Sequence, residues 1–251
     1  MAGSAYRTLR RDMGRALHDF GMIADGDRIL VGLSGGADSL SLMWMLADRL
    51  PRIPIRYDLV AAFIDPGFAP SFAPELAEFC RTQGWRLEVV RTNDGPYSHS
   101  ERNRENPCFL CARRRRQRLF ELADALGCAR IALGHNKDDL IETLFINICY
   151  AGGIRTMRPV QPFFDGRFTV IRPLAYAEAK TIRRFARRRA FPSFPNPCPS
   201  ATTSRRDQIG RLLRGLYQSN RKIKGNIFHA MRAADLLEPS EPSPSDGEGE
   251  R

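Results

Sequence analysis

The stretch VGLSGGADS, residues 31–39, joins an apolar run to a helix-like segment and decides the predicted fold. The run DRILVGL that leads into it is typical of a buried strand, and LSLMWMLADRL that follows it is typical of a helix. Outward along the chain, YDLVAAFID, WRLEVVRT, ARIALG and FTVIRPLA are further strand candidates, separated by helix-like segments. Strands that alternate with helices predict an α/β fold with a doubly wound, mostly parallel sheet, whose ligands bind at the carboxyl ends of the strands.

Two adjacent glycines within this stretch indicate a phosphate-binding loop. Gly35 and Gly36 permit a tight turn in which successive N–H groups and a helix N-terminus face one anion. Ser34 and Ser39 can donate to phosphate oxygens, and Asp38 can hold Mg²⁺. The Walker A and dinucleotide patterns are both absent. The alternative is a plain glycine-rich turn, and the complete pattern S-G-G-x-D-S argues against it.

A second polar stretch, LGHNKDDLIET at residues 133–143, follows the fourth predicted strand and begins a helix. The topology therefore brings it to the same sheet edge as the phosphate loop. We expect His135, Asp138 and Asp139 to contact the nucleotide, a metal ion or the base that is activated. The alternative is an ordinary helix start, capped by Asn136 and stabilised by acids in its first turn.

The net charge of +11 is unevenly distributed along the 251 residues. The C-terminal stretch EPSEPSPSDGEGER contributes −4, so the preceding chain carries +15. A positive charge of this size predicts a polyanionic partner. The alternative is that the charge only reflects a proteome in which arginine is common. We expect no secretory signal at the first residues given, because they lack a continuous apolar core. The sequence contains no apolar run of about 18 residues, and six cysteines are few for a disulfide scaffold. We therefore expect a cytoplasmic protein that does not enter a membrane.

The stretch NPCFLCARRRRQR, residues 106–118, places two cysteines beside five arginines. The pair Cys108 and Cys111 is compatible with zinc, an iron–sulfur cluster or a redox pair, and we expect the arginines and the helix start to lower the thiol pKa values. Cys198, among prolines, is the candidate third ligand, which would leave one iron of a 4Fe–4S cluster open to exogenous sulfide. We choose Arg115 as the cation nearest the site. The remaining cysteines are predicted to be small buried hydrophobes: Cys80, Cys128 and Cys149.

Five motifs together carry a family resemblance: SGGADS, CFLC, LGHNKDDLIETLF, VIRPLAYAEAKTIRRFA and FPNPC. With them the chain resembles, from about residue 9 to about residue 231, the TtcA family of tRNA 2-thiocytidine synthetases, which are PP-loop ATP pyrophosphatases. The related TtuA-type 2-thiouridine enzymes carry zinc-binding CxxC pairs at both ends, which this sequence lacks.

The resemblance implies a reaction and its cofactors. In this family ATP and Mg²⁺ serve to adenylate the C2 oxygen of an anticodon-loop cytidine, at position 32 of the tRNA. Sulfur carried by a 4Fe–4S cluster then displaces AMP and gives 2-thiocytidine. A cysteine desulfurase or sulfide would be the sulfur donor, and a homodimer is compatible with the family.

The resemblance also implies the site residues. The cluster ligands are Cys108, Cys111 and Cys198. The ATP-binding residues are Ser34, Gly35, Gly36, Asp38, Ser39, Gly134 and His135, of which Asp38 is also the Mg²⁺ ligand. We expect Asp38, Asp138 and Asp139 to be catalytic, and our own choice adds Arg115 to them. The arginines of RRFARRR and of SRR around Arg205 would extend an RNA-binding track.

Two positions depart from the family pattern. Ala37 stands where Lys is typical, which we expect to weaken ATP binding. Many members carry a further cysteine near the place of Asn196, and its absence here would mean a different sulfur donor route or a different target base.

We expect four segments in the chain: an N-terminal helical segment at 1–24, a PP-loop domain at 25–200, C-terminal helices at 201–237 and a disordered acidic tail at 238–251. Two other functions stay open from the sequence alone. One is an ATP pyrophosphatase that adenylates another tRNA base or a small molecule. The other is a zinc-stabilised RNA-binding protein without ATP turnover.

Overall fold

The structure is a computed structural model that describes residues 3–195, 197–200 and 205–238. Asn196 and nearly all of the predicted acidic tail lie outside the described residues. The strands are β1 Asp27–Leu33, β2 Tyr57–Asp65, β3 Leu87–Arg91, β4 Arg130–Leu133, β5 Val160–Phe163 and β6 Phe168–Ile171. The helices are α1 Ser4–Asp19, α2 Ala37–Arg49, α3 Ala73–Thr82, α4 Asp94–Ser98, α5 Pro107–Ala125, α6 Lys137–Ala151, α7 Ala179–Arg188, α8 Arg205–Ser219 and α9 Ile223–Ala233. No helix in this part of the chain is long and apolar enough to cross a bilayer.

The strands form a single sheet in the order β3-β2-β1-β4-β6-β5. The pairs from β3 to β6 are parallel, and β5 joins the edge antiparallel to β6. The mostly parallel, doubly wound sheet expected from the sequence is therefore confirmed. From β1 the chain winds outward to β2 and β3, and it returns to place β4 on the other side of β1. The crevice between the ends of β1 and β4 is thus the switch point at which such sheets bind ligands.

The sheet is buried on both faces, as parallel sheets are. Alternate residues of β1 face opposite sides: Ile29 and Val31 belong to a large core with α1, α2, α6 and α7, whereas Leu30 belongs to a smaller core. That smaller core is completed by Leu119 and Phe120 of α5. Helix α5 therefore covers one face of the sheet with its C-terminal half and carries the CxxC pair in its first turn.

Three local differences from the sequence expectation have physical causes. Strand β5, VQPF, was not expected, because an edge strand of four residues with an internal proline lacks an apolar alternation. The expected loop before the CxxC contains the short helix α4. Cys80 and Cys128 are buried as expected, but the prediction for Cys149 is wrong, because this cysteine lies exposed near the end of α6.

Candidate active site

The phosphate loop joins β1 to α2 and is held by hydrogen bonds among its own residues. The Ser39 hydroxyl donates to the Gly36 carbonyl at 3.0 Å and accepts from the Ser34 N–H at 3.1 Å. The Ser34 hydroxyl lies 3.2 Å from that of Ser39 and accepts from the Gly36 N–H at 3.4 Å. The two serines predicted to bind phosphate therefore also fix the turn that presents the N-terminus of α2.

Two glycines have no room for a side chain. Gly35 has φ +75°, and a Cβ there would stand 2.7 Å from the Phe72 ring. A Cβ on Gly134 would stand 3.0 Å from the backbone nitrogen of Ser39. The loop after β4 thus packs directly on the first turn of α2, and the two polar motifs meet at one sheet edge.

Asp38 brings an unpaired carboxylate oxygen into this edge. Its Oδ1 is buried and has no hydrogen-bond partner among the described residues. Burial, followed by repulsion from Asp139, raises the pKa of Asp38 to about 6. A buried acceptor without a donor fits a cation, and Mg²⁺ needs only one or two carboxylates when phosphates supply further oxygens. The residue therefore fits the magnesium role that the sequence suggested.

Asp139 takes part in the structure of its own helix start. Its Oδ2 accepts from the Asn136 N–H at 2.9 Å, and the Asn136 side chain accepts from the Asp139 N–H, which completes a capping box. Its Oδ1 accepts from Arg206 at 3.0 Å. The arginine also lies 3.5 Å from Glu142, so Arg206 of the SRR stretch pairs with two partly buried acids of α6.

Asp138 connects three helices. Its Oδ2 accepts from the Ala179 N–H, the first of α7, at 2.9 Å, and its Oδ1 accepts from Lys224 of α9 at 2.6 Å. Both oxygens of this predicted catalytic acid therefore have protein donors. The contacts hold α7 and α9 beside the phosphate loop.

His135 lies at the same edge with an uncharged ring. Its Nδ1 is buried and has no hydrogen-bond partner among the described residues. Burial lowers the pKa of His135 well below its usual value, and nearby arginines lower it further: Arg172, Arg206, Arg115 and Arg116. The imidazole is therefore neutral at physiological pH and offers a ring nitrogen to a ligand.

The CxxC pair occupies the first turn of α5. Asn106 caps this helix, its side chain accepting from the Cys108 N–H at 3.0 Å and the Phe109 N–H at 3.2 Å. Cys108 is exposed and Cys111 is partly buried. The expected lowering of thiol pKa values is wrong for Cys111, whose pKa is raised because burial outweighs the attraction of Arg115.

Cys198 lies in the same neighbourhood, although the chain between it and α5 is long. Its thiol and that of Cys108 both contribute to the raised pKa of Cys111 through electrostatic interaction. Among the residues that the structure describes, no three His, Cys, Asp or Glu side chains converge closely enough to hold a single metal ion. A cluster distributes its thiolates over several iron atoms, so this donor set fits a three-cysteine 4Fe–4S cluster better than a zinc ion, which needs four closed ligands.

His99 was not predicted as a site residue, yet it contacts the third cysteine. Its Nε2 lies 4.0 Å from the Cys198 sulfur and 2.9 Å from the Ser200 hydroxyl, while its Nδ1 lies 3.0 Å from the Gly95 carbonyl. The imidazole thereby ties the Cys198 segment to α4. No spacing in the sequence relates residue 99 to residue 198, so only the tertiary structure reveals this contact.

The arginines after the CxxC divide into two sets. Arg113 pairs with Glu105 at 2.8 Å, and Arg114 pairs with the buried Asp94 at 3.1 Å. Arg115 and Arg116 are exposed and form no ion pair with any part of the chain that the structure describes. Arg115 nevertheless shifts the pKa values of both Cys111 and His135. This predicted cation therefore lies within electrostatic reach of the thiols and of the nucleotide edge.

A cavity of about 560 Å³ opens in front of the phosphate loop. Its lining includes Gly36 and Ala37 on one side and Arg183 and Arg187 of α7 on the other. These two arginines belong to the RRFARRR stretch that the sequence assigned to an RNA track. Their spacing of four residues was the available signal for a shared helix face.

Comparison with known proteins agrees with this geometry. The PP-loop domain family matches residues 6–221. A tRNA-cytidine(32) 2-sulfurtransferase of Geobacter sulfurreducens is 37% identical over 229 residues, which cover 90% of this chain and 89% of that protein. The chain belongs to the tRNA-cytidine(32) 2-sulfurtransferase family. Another member of the family, from Enterobacter sp., is 41% identical over 239 residues, which cover 93% of this chain and 75% of that protein.

Solved structures of other proteins share the fold of this chain. The U34-tRNA thiolase NcsA from Methanococcus maripaludis, solved with its 4Fe–4S cluster, superposes with a TM-score of 0.76 at 21% identity and covers 93% of this chain and 80% of its own. An NH₃-dependent NAD synthetase from Campylobacter jejuni superposes with a TM-score of 0.50 at 14% identity, covering 94% of this chain and 96% of its own. At these identities the likeness concerns the fold. The resemblance drawn from the five sequence motifs is confirmed by the 2-sulfurtransferase relatives.

Proposed function

We propose that this chain is an ATP-dependent tRNA sulfurtransferase that replaces the C2 oxygen of cytidine 32 with sulfur. The observation that carries the proposal is the position of Arg115, which is within electrostatic reach of both Cys111 and His135. The candidate sulfur site and the candidate nucleotide site are therefore neighbours. The printed name of relatives that are 37% and 41% identical supports the choice of tRNA and of base.

ATP would bind across the crevice between β1 and β4. The N-terminus of α2 and the turn at Gly35 and Gly36 offer N–H donors to phosphate oxygens. Asp38 would hold Mg²⁺ through its unpaired Oδ1. Gly134 permits the close approach of the second loop, and His135 offers a neutral ring nitrogen at the same edge.

The reaction has two substitutions. The cytidine C2 oxygen attacks the α-phosphorus of ATP, the bond to the β-phosphate oxygen breaks, and pyrophosphate leaves. Sulfur from hydrosulfide then attacks C2, the C2–O bond breaks, AMP leaves with that oxygen, and the sulfur proton is released. Backbone donors and Mg²⁺ at Asp38 would stabilise the charge that develops on the phosphates. Asp139 would keep Arg206 beside this edge, and Asp138 would hold α7 in place.

Cys108, Cys111 and Cys198 would hold a 4Fe–4S cluster, whose chemistry when bound is to present sulfur at an iron that no protein residue ligates. His99 would fix the Cys198 segment, and the Asn106 cap would fix the first turn of α5.

The tRNA would approach over the exposed arginines of α5. Arg115 and Arg116 form no ion pair in the described chain, so they are available to RNA phosphates. An anticodon-loop base can leave its stack and enter a pocket beside such contacts. We further propose that the protein works in the cytoplasm as a homodimer, with sulfide or a cysteine desulfurase as its sulfur source.

A reconstitution experiment tests this function. The protein, loaded with iron and sulfide under anaerobic conditions, is incubated with unmodified tRNA, MgATP and sulfide, and the tRNA nucleosides are analysed by mass spectrometry. We expect 2-thiocytidine at position 32 only when ATP is present, together with equal amounts of AMP. Unchanged cytidine 32 in the complete reaction, or AMP formed equally without tRNA, contradicts the proposal.

A further inference from the structure

The phosphate loop brings no cation of its own to its ligand. Residues 34–39 contain neither Lys nor Arg, and Ala37 lines the cavity in front of the loop. Phosphate loops of the Walker type carry a lysine that reaches the β- and γ-phosphates. A bound triphosphate would therefore need positive charge from another part of this chain.

Helix α7 places two arginines opposite Ala37. Arg183 and Arg187 are four residues apart, so they share a helix face, and both line the cavity. Both residues are exposed and form no ion pair within the described residues. Other arginines of this segment have contacts elsewhere: Arg184 donates to the Ser4 hydroxyl at 3.0 Å, and Arg189 lies 4.2 Å from the centre of the Trp44 ring.

The position of α7 is fixed from both sides. Asp138 accepts the hydrogen bond of the first N–H of α7, at Ala179. Ile182 and Phe185 are buried in the large core, and the helix packs against α1 and α2. The cavity face of α7 is therefore held at a set distance from the phosphate loop, as a preformed anion site requires.

Asp38 provides an independent sign that a charged ligand belongs between loop and helix. Its buried Oδ1 has no donor, which suits a cation, and the Arg183 guanidinium lies within electrostatic reach of this carboxylate. A metal–triphosphate placed there would meet an acid on its metal side and two guanidinium groups on its phosphate side.

We infer that Arg183 and Arg187 bind the β- and γ-phosphates of ATP and thereby take the place of the lysine that the loop lacks at Ala37. The inference rests on the proposed use of ATP and adds to it the source of the phosphate-binding charge. It assigns to the nucleotide two arginines that the sequence alone assigned to RNA.

Nucleotide titration without tRNA tests the inference. The dissociation constants of α,β-methylene ATP with Mg²⁺ and of adenosine are measured by calorimetry for the wild type, Arg183→Ala, Arg187→Ala and the double variant. Each single variant is expected to bind the ATP analogue about tenfold more weakly, since each loses one charge-assisted contact, and adenosine affinity is expected to stay unchanged. Arg184→Ala, on the same helix but outside the cavity lining, is the matched control and should bind like the wild type.

A compensating substitution tests whether the lost affinity is due to the lost positive charge or to a change in the shape of the cavity. Ala37→Lys in the double variant is expected to restore at least tenfold of the lost affinity, because the lysine enters the same cavity. Wild-type affinity in the double variant overturns the inference and leaves the proposed function standing. Equal weakening in Arg184→Ala, or no recovery with Ala37→Lys, also overturns it. A wild type that does not bind the ATP analogue at all overturns both proposals.

Discussion

In the phosphate-loop cleft, serine hydrogen bonds and two glycine contacts fix the backbone, whereas the cysteine region is held by the Asn106 cap and by His99. Within the phosphate loop the Ser34 and Ser39 hydroxyls lie 3.2 Å apart and bond inside the turn. The thiols of Cys108, Cys111 and Cys198 are close enough to interact electrostatically. Within the described chain, however, no three His, Cys, Asp or Glu side chains are placed to bind one metal ion. The phosphate loop is thus shaped by its own hydrogen bonds, and we expect the geometry of the cysteine region to depend more strongly on what it binds.

Replacing Cys198 should give the largest difference between the two regions, because it should abolish the function of the cysteine region and leave ATP binding intact. Cys198→Ala is expected to reduce thiolation to background and to lower the iron bound after anaerobic reconstitution, because two thiolates remain for a cluster that needs three. ATP affinity is expected to stay at the wild-type value. Iron analysis, activity and ATP titration check these outcomes.

Cys149→Ala is the matched control, because this cysteine is exposed near the end of α6. It should keep both the iron and the activity. Full iron content in Cys198→Ala would contradict the three-cysteine assignment.

Asp38→Asn should weaken the reaction and strengthen the fold. We expect a loss of thiolation of about 100-fold, as for removal of a group that stabilises transition-state charge. The pKa of Asp38 is raised to about 6, so the folded chain binds this proton more tightly than the unfolded chain does. The ionised carboxylate therefore costs stability as the pH rises from about 4 through 6. At pH 8 the variant should gain about 2–3 kcal/mol in the free energy of unfolding.

Urea unfolding at pH 4 and pH 8 measures this effect. The gain should become small at pH 4, where the folded wild type is protonated at this position and the unfolded wild type is about half protonated. A variant that is less stable than the wild type at pH 8 would contradict the net destabilisation that the raised pKa of Asp38 implies.

Gly134→Ala should disturb the junction between the two polar loops. The new Cβ would stand 3.0 Å from the Ser39 nitrogen, and relieving this contact should cost about 1–3 kcal/mol in the free energy of unfolding. ATP affinity should fall with it, because the first turn of α2 moves. Gly215→Ala is the control, since a Cβ there meets no atom within 4 Å. Equal behaviour of the two variants would refute the close approach.

Arg115→Ala should have the smallest effect, because the role proposed for this arginine, which the sequence placed among the catalytic residues, is to bind RNA phosphates. We expect the KM for tRNA to rise several-fold and the salt dependence of tRNA binding to decrease by about one unit of slope, with ATP affinity unchanged. Arg113→Ala is the matched control, because Arg113 already pairs with Glu105. Titrations at several salt concentrations compare them. An identical change in both variants would mean that α5 contributes only general positive charge.

The parts of the molecule that the sequence predicted are those encoded locally. The phosphate loop was predictable because the turn, its serines and its acid lie within six residues, and the Asn136 cap was predictable for the same reason. His99 reaches the site through packing between distant segments, for which no spacing gives a signal. The spacing of Arg183 and Arg187 indicated a shared helix face, but only the packing of α7 shows that this face lines the cavity. The thiol pKa of Cys111 was predicted in the wrong direction, because the sequence shows neighbouring charge but does not show burial.

Helix α5 links sulfur placement to a distant part of the interior. Leu119 and Phe120 seat it against the sheet, roughly 16 Å along the helix axis from Cys108. A helix bends little along its length. A substitution that shifts the contact of Leu119 and Phe120 with the sheet would therefore also move Cys108 and Cys111 relative to the bound cytidine. Sulfur chemistry in this protein would then be sensitive to mutations that never touch the reactants, and screens for inactive variants should recover residues of this seat alongside the cysteines.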